Sequence, residues 1–354
     1  MLRRLSAVHQ HWPLATPFRI SRGTKHAAET VHVEIHAGPL RGRGESVPYA
    51  RYGETIESVL AQVRALERRV AAGLDRRRLA ERLPAGAARN ALDCALWDLE
   101  ARQAGTSVWS LLQQAPPPAL DMALTVGLDT PERMHAAAAR LAACPLIKIK
   151  VDASDPAAQV RAVRSAAPAA RLIVDPNESW DLPLLARMQA VMLEARVDLV
   201  EQPLPSHRDA DLDGFNAEVP ICADESCHVA ADLPALAGRY QVVNIKLDKT
   251  GGLTGALELL GAARAQGFGV MVGCMICSSL SAAPAFLVAR DADFVDLDGP
   301  LWLKADHPDG VRGEGGTLHP ASGEFWGGAL EQGRMTAAAA GRMLRHQPPA
   351  GSCP

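Results

Sequence analysis

The chain has 354 residues, 48% hydrophobic and 22% charged, and 37 Lys and Arg against 40 Asp and Glu leave a net charge of −3. That is enough chain for one large or two ordinary domains, with apolar content for a sizeable core. No clustered basic surface announces a nucleic-acid partner. No run approaches about 18 apolar residues, so neither a signal peptide nor a membrane span is expected.

The first part, residues 1–115, reads as a small α+β domain. The stretch PFRISRGTKHAAE (17–29) reads as a polar loop carrying Arg19, Arg22 and Lys25. Val31 to Ala37 alternates apolar and polar residues, which predicts a half-exposed antiparallel strand, and GPLRGRGE after it reads as a Gly-rich turn. Glu57–Ala72 and Ala87–Gln103 read as amphipathic helices. Gly105 and the stiff run Pro116-Pro117-Pro118 close the segment.

From Leu120 the pattern changes. Eight short apolar runs (DMALTV, LIKIK, RLIVD, VDLVE, VPICAD, QVVNIK, FGVMVG and DFVDLD) alternate with Ala-rich helical stretches such as Pro131–Ala143 and Pro156–Ala166. Such alternation predicts a parallel sheet with right-handed crossovers, and eight repeats favour a TIM-type (β/α) barrel over residues 120–310. An open doubly wound sheet is the competitor, but GGLTG at 251–255 is not its nucleotide fingerprint. Residues 311–354 are Gly-rich and weakly patterned, with Gln347 to Pro354 expected to fray.

The seven cysteines, at 94, 144, 222, 227, 274, 277 and 353, are odd in number and several sit in apolar runs. That suits reduced thiols in a cytoplasm better than a disulfide framework. Cys274-Met-Ile-Cys277 has dithiol spacing, but it follows a late strand and no second pair completes a zinc site.

The chemistry concentrates at strand ends. Lys150, Asp175, Glu201, Asp224 and Lys246 each close an apolar run, at intervals of 25, 26, 23 and 22 residues. One β/α unit has about this length, and barrel enzymes draw catalytic groups from strand C-terminal ends. Three carboxylates in succession offer the oxygen ligands that a hard divalent cation takes. Lys148 and Lys150 share one strand face, so each is expected to depress the other's pKa toward a usable general base. Lys246, four strands along, would face them from the opposite wall. Asp296 and Asp298 form a second same-face pair suited to an ammonium or guanidinium. A Schiff-base lysine would leave the three acids without a purpose.

KIK, DPNESW, VEQPLP, ADES and NIKLDKTGGL, in this order and spacing, resemble the enolase superfamily in its muconate-lactonising-enzyme-like subgroup. The resemblance spans essentially the whole chain. AGAARNALDCALWDLEAR, GCM and DLDG are similar to the dipeptide epimerases within it, the L-Ala-D/L-Glu type in particular. It implies an α/β fold, a modified (β/α) barrel with an N-terminal α+β capping domain to which residues 311–354 return. It implies one Mg²⁺ per subunit, with Mn²⁺ as a substitute, on Asp175, Glu201 and Asp224. Lys150 and Lys246 would be the paired acid/base catalysts, moving the α-proton of a dipeptide such as L-Ala-L-Glu by 1,1-transfer through an enediolate. Lys148 would meet the substrate carboxylate, Asp296 and Asp298 its ammonium, and Thr125 and Cys274 its backbone. Arg22 and Lys25 would meet a glutamate γ-carboxylate, Lys25 standing where relatives carry arginine. The resemblance also implies a cytoplasmic enzyme of peptidoglycan recycling, compatible with a homo-oligomer, needing neither nucleic acid nor membrane. N-acylamino acid racemisation, cycloisomerisation and dehydration share the metal and lysines. A non-catalytic binding barrel would have lost a ligand or a lysine, and none is lost.

Overall fold

The computed structural model describes residues 2–322 and 324–328. Arg3–Ile20 and Gly23–Ala37 form one long antiparallel hairpin, and Leu40–Ser46 adds a third strand to its second. The stretch 17–29, expected as a loop, is therefore the hairpin's end. Phe18 pairs with Lys25, Arg19 with Thr24 and Ile20 with Gly23, leaving Ser21 and Arg22 as the turn. Its first strand alternates between half-buried and exposed positions without any deeply buried residue. Pattern reading misses such a strand because both faces tolerate polar residues.

GPLRGRGE also differs from expectation: it turns near Gly38 and is strand from Leu40 onward. Its glycines answer to packing. A Cβ on Gly42 or Gly44 would run into the carbonyl oxygens of Ala95 and Ala91 on the helix Ala87–Gln103. The expected helix 57–72 is two, Ile56–Ala65 and Glu67–Ala71, because Leu66 steps out at φ −94° and ψ 0°. The helix Ala87–Gln103 is buried along most of its length, since it lies between the cap sheet and the barrel. Its Trp97 Nε1 donates to Thr254 Oγ1 at 3.0 Å, and Asp93 accepts from the Thr254 N–H at 2.9 Å.

The eight expected runs are all strands, and all are parallel: Ala123–Val126, Leu146–Lys150, Arg171–Asp175, Leu199–Glu201, Ile221–Ala223, Val242–Ile245, Gly269–Gly273 and Phe294–Asp296. Each ladders to its sequence neighbours, giving a nearly closed barrel. The seam between first and eighth strands is spanned by a side chain, Asp298 Oδ2 accepting from the Thr125 N–H at 2.9 Å.

The interior is built in tiers by the two-residue period of a strand. The lower tier takes one residue from each strand: Ala123, Leu146, Ile173, Leu199, Cys222, Val242, Met271 and Phe294 form a closed apolar cluster. Two residues further on, the same faces carry Thr125, Lys148, Asp175, Glu201, Asp224, Asn244, Gly273 and Asp296. Another step adds Lys150, Lys246 and Asp298. An apolar floor thus supports a polar rim, and strand periodicity alone converts one into the other.

Beyond the barrel, Arg312–Glu314 and Thr317–His319 make a small hairpin whose second strand pairs with Leu120–Asp121. Residues 324–327 reach the cap: Trp326 Nε1 donates to Arg43 O at 2.9 Å, and the Val108 N–H to Gly327 O at 2.7 Å. Cys353 and the fraying expected of 347–354 lie outside the described residues. Among the described residues no helix is long and apolar enough to cross a membrane.

Candidate active site

The rim opens into a cleft between the barrel and the hairpin end. Lys148, Lys150, Asp224, Lys246, Thr125, Cys274, Asp296 and Asp298 line it from the barrel, Arg22 and Lys25 from the cap. Asp175 and Glu201 lie just behind this lining, fully buried and bonded to it. The structure thus gathers every residue singled out from the sequence around one space.

Its charges are paired in two sets on opposite walls. On one side Lys150 Nζ donates to Asp175 Oδ2, which also lies 3.1 Å from Lys148 Nζ. Lys148 Nζ is 2.6 Å from Glu201 Oε2 and 2.7 Å from Asp296 Oδ2. On the other side Lys246 Nζ donates to Asp224 Oδ2 at 2.7 Å, while Asp224 Oδ1 takes Lys249 Nζ at 2.7 Å. Asn244 Nδ2 joins the two sets by donating to Glu201 Oε1 at 2.9 Å.

Burial and pairing pull in opposite directions here. Burial alone would raise Asp175, but the Lys150 and Lys148 ammoniums outweigh it and hold the carboxyl down at about 2. Asp224 is likewise driven well below the carboxylate range, its burial outweighed by Lys246 and Lys249. Glu201 goes up, from burial and the neighbouring Asp175. Lys148 corrects an expectation: the like charge of Lys150 does not depress it. Despite the penalty of burial, Asp296, Glu201 and Asp175 hold its ammonium well above the usual lysine value. Lys246 is raised in the same way, chiefly by Asp224. Asp298 is pushed up to about 6 by burial and by Asp296.

Among the described residues no three His, Cys, Asp or Glu side chains already stand as a ready ligand cluster for an ion. Asp175, Glu201 and Asp224 are each turned onto a lysine instead. Their chemistry still fits a hard divalent cation, being all oxygen and borne on adjacent strands. Glu201 Oε2 is buried and accepts no hydrogen bond, although Lys148 Nζ is near. That oxygen is paired with the ammonium by charge but has no aligned hydrogen bond, so it keeps lone-pair capacity for a cation.

The enolase C-terminal domain-like family model matches residues 132–324, and the mandelate racemase/muconate lactonizing enzyme N-terminal domain model matches residues 3–113. The chain belongs to the enolase superfamily. It is 46% identical over 320 residues to an L-Ala-D/L-Glu epimerase of Escherichia coli (strain K12), covering 90% of this chain and 100% of that one. An N-acetyl-D-glutamate racemase of Pseudoalteromonas sp. is also 46% identical, over 296 residues, covering 83% of this chain and 94% of the relative. A solved enolase family member from Agrobacterium tumefaciens, homologous to dipeptide epimerases, has bound sodium and L-Ala-L-Glu with an ordered loop. It is 47% identical with a TM-score of 0.90, covering 92% of this chain and 100% of that chain.

Within this enolase-superfamily rim, sequence reading passed over four charged residues. Lys249 is fully buried and spends its Nζ on Asp224 Oδ1, on Asp224 O at 2.5 Å and on Asn244 O at 2.9 Å. Its signal was a lysine embedded in the otherwise tight NIKLDKTGG turn. Glu225 accepts Arg22 Nη2 at 2.7 Å and is pushed up to about 7 by burial and by Asp224. Glu178 and Arg51 pair across the cleft mouth. Arg22 itself is occupied by Glu225, Glu178, Asn177 O and Tyr49. Lys25 makes no ion pair among the described residues; its ammonium lies 5.0 Å over the Tyr49 ring. Burial lowers its pKa, and Arg22 and Lys246 add to that.

Proposed function

We propose that this chain epimerises dipeptides of the L-Ala-L-Glu and L-Ala-D-Glu kind at the α-carbon of the C-terminal residue. One observation carries the reading: Lys150 and Lys246 stand on the second strand and just past the sixth of eight, facing each other across one cleft. One lysine takes the α-proton from one face and the other returns a proton to the opposite face, which inverts the centre. The L-Ala-D/L-Glu epimerase relative and the solved neighbour with bound L-Ala-L-Glu support this substrate class.

Asp175, Glu201 and Asp224 would hold Mg²⁺, with Mn²⁺ as a substitute. When bound, the cation offsets the negative charge that builds on the substrate carboxylate and competes with the lysines for these three acids. Lys148, buried among carboxylates beneath the cleft, orients the substrate carboxylate. Asp298 is fixed by the Thr125 N–H and by Trp302 Nε1 at 3.2 Å, and Asp296 keeps a buried Oδ1 with no hydrogen bond. An ammonium satisfies that oxygen; an N-acyl group does not. This favours a free dipeptide N-terminus over the N-acyl substrate of the equally similar racemase. Lys25 would meet the γ-carboxylate from above. A cap of residues 1–115, a cytoplasmic location and a place in peptidoglycan recycling accompany this reading.

Incubation with Mg²⁺ in D₂O tests it, with L-Ala-L-Glu, L-Ala-L-Ala and N-acetyl-L-glutamate compared by mass spectrometry. The expected result is one deuterium in the dipeptides with inversion, and at least roughly tenfold less in the N-acetyl compound. Preferential labelling of N-acetylglutamate would replace this function with N-acylamino acid racemisation.

A further inference from the structure

The turn after the third barrel strand is held in an uncommon backbone conformation. Asn177 and Glu178 are consecutive non-glycine residues with φ of +47° and +65°. Left-handed backbone at two such residues in a row persists only where the surroundings enforce it, and it marks places where geometry serves function.

The turn is held from the barrel, where the Glu178 N–H donates to Gln202 O and the Asn177 N–H to Asp175 Oδ1, both at 2.9 Å, and its exposed groups are gripped from the cap. Arg51, in the turn Ala50–Tyr52, donates Nε to Glu178 Oε2 and Nη2 to Glu178 Oε1, both at 2.8 Å. Arg22, at the tip of the long hairpin, donates Nη1 to the same Oε2 at 3.2 Å and to Asn177 O at 3.0 Å. Ser21 Oγ also donates to Asn177 O at 3.2 Å. From the barrel side the Ser206 N–H donates to Glu178 Oε1 at 2.9 Å. The Glu178 side chain is only 8% exposed, so these partners enclose it; burial alone would raise its carboxyl, but Arg51, the Ser206 N–H and Arg22 outweigh that and hold it below the ordinary glutamate value. Two cap segments far apart in sequence thus close on one carboxylate of the barrel. The same two segments carry Lys25 and Tyr49 into the cleft.

We propose that Glu178 is a positioning residue: by gripping Arg22 and Arg51 it seats the hairpin end over the cleft and so sets substrate capture, without touching substrate. Arg22 belongs to this clamp, so its removal would unseat Lys25 and Tyr49 together. Leaving Glu225 and Glu178 buried without it disfavours any swing of Arg22 toward a ligand. The grip acts on every substrate through the roof, and on a glutamate substrate additionally through the seating of Lys25.

This inference rests on the dipeptide-epimerase reading for its kinetic arm only. Glu178→Gln keeps the shape but halves the acceptor capacity and removes the charge. It is expected to raise KM by roughly 10- to 100-fold, the range for lost hydrogen bonds to a charged group. The rise should appear for L-Ala-L-Ala as well as for L-Ala-L-Glu, larger for the latter by the contribution of the unseated Lys25, with kcat within about twofold of the parent. Amide hydrogen exchange on the substrate-free protein should quicken in residues 17–29 and leave the barrel strands protected. Glu178→Asp, which restores the charge, should recover part of both. Unchanged exchange at 17–29 in Glu178→Gln overturns the grip, whatever the enzyme's substrate. Quickened exchange with an unchanged KM, or a loss confined to Ala-Glu, overturns the role in capture while leaving the proposed reaction standing.

Discussion

The barrel rim and the hairpin roof above it carry charge in opposite ways. In the rim every catalytic candidate is buried, paired and borne on or just beyond a strand, so its position follows from the ladder register. In the roof Arg22 and Arg51 stand on turns and are placed by ion pairs to distant loops, while Lys25 on the strand end is carried there without an ion pair among the described residues. The rim repeats one geometric rule around a ring. The roof is assembled from contacts separated by more than 100 residues along the chain. Reaction and selectivity therefore reside on parts whose accuracy has different physical origins, and substitutions should separate them.

The deepest break falls in the rim. Lys150→Ala and Lys246→Ala are each expected to lower epimerisation by roughly 10³-fold or more, the upper range for a positioned acid or base. Inversion assayed by chiral chromatography checks this. Substantial inversion surviving in either variant would end the two-lysine assignment. Asp175 and Asp224 should outlast changes of solvent pH, since their lysines hold them ionised.

An intermediate effect lies at the seam between the two regions. Glu45 of the cap accepts the Ser278 N–H of the barrel at 2.8 Å, and Asp248 of the barrel accepts the Val47 N–H of the cap at 2.9 Å. Burial pushes both carboxyls up to about 7. Their folded values exceed the unfolded ones, so the folded state retains protons that the unfolded state has lost. Stability from this source is complete below about pH 4 and falls as pH rises toward 7, by at most about 1.4 kcal/mol per pH unit and per group. Denaturant unfolding at several pH values should show Glu45→Gln flattening that slope. An unaltered slope would mean that Glu45 does not titrate in this window.

The smallest effect belongs to the roof. Lys25→Met should reduce kcat/KM for L-Ala-L-Glu by roughly five- to tenfold, as for a partly screened ion pair, and leave L-Ala-L-Ala nearly unchanged. Lys25→Arg should sharpen the preference, because a guanidinium grips a carboxylate through two bonds. An equal effect on both dipeptides would move side-chain selection away from Lys25.

This division also explains what the amino-acid order disclosed. Eight strands, and the charges that close six of them, were legible because each is a local event: an apolar run ends and, in those six, a charged residue follows on the inward face. Asp296 and Asp298 were legible for the same reason. The hairpin over 17–29 was not, since its polar residues alternate without an apolar partner set. Neither was the commitment of Arg22, whose partners Asn177 and Glu225 lie 155 and 203 residues away. The depressed lysine expected from KIK failed because it counted the neighbour on the strand and not the carboxylates across the rim.

The bonds from residues 324–327 to the cap bear on the order in which a ribosome delivers this molecule. The cap strands and the helix Ala87–Gln103 emerge first, yet the bond of Trp326 to the Arg43 carbonyl and that of the Val108 N–H to Gly327 form only when residues 326 and 327 follow. More than 200 residues, the whole barrel among them, must be synthesised in between. Chains released before this stretch would carry a complete set of rim residues under a roof whose foundation lacks its last ties. The nascent chain thus acquires its charged rim before it finishes the domain that roofs it.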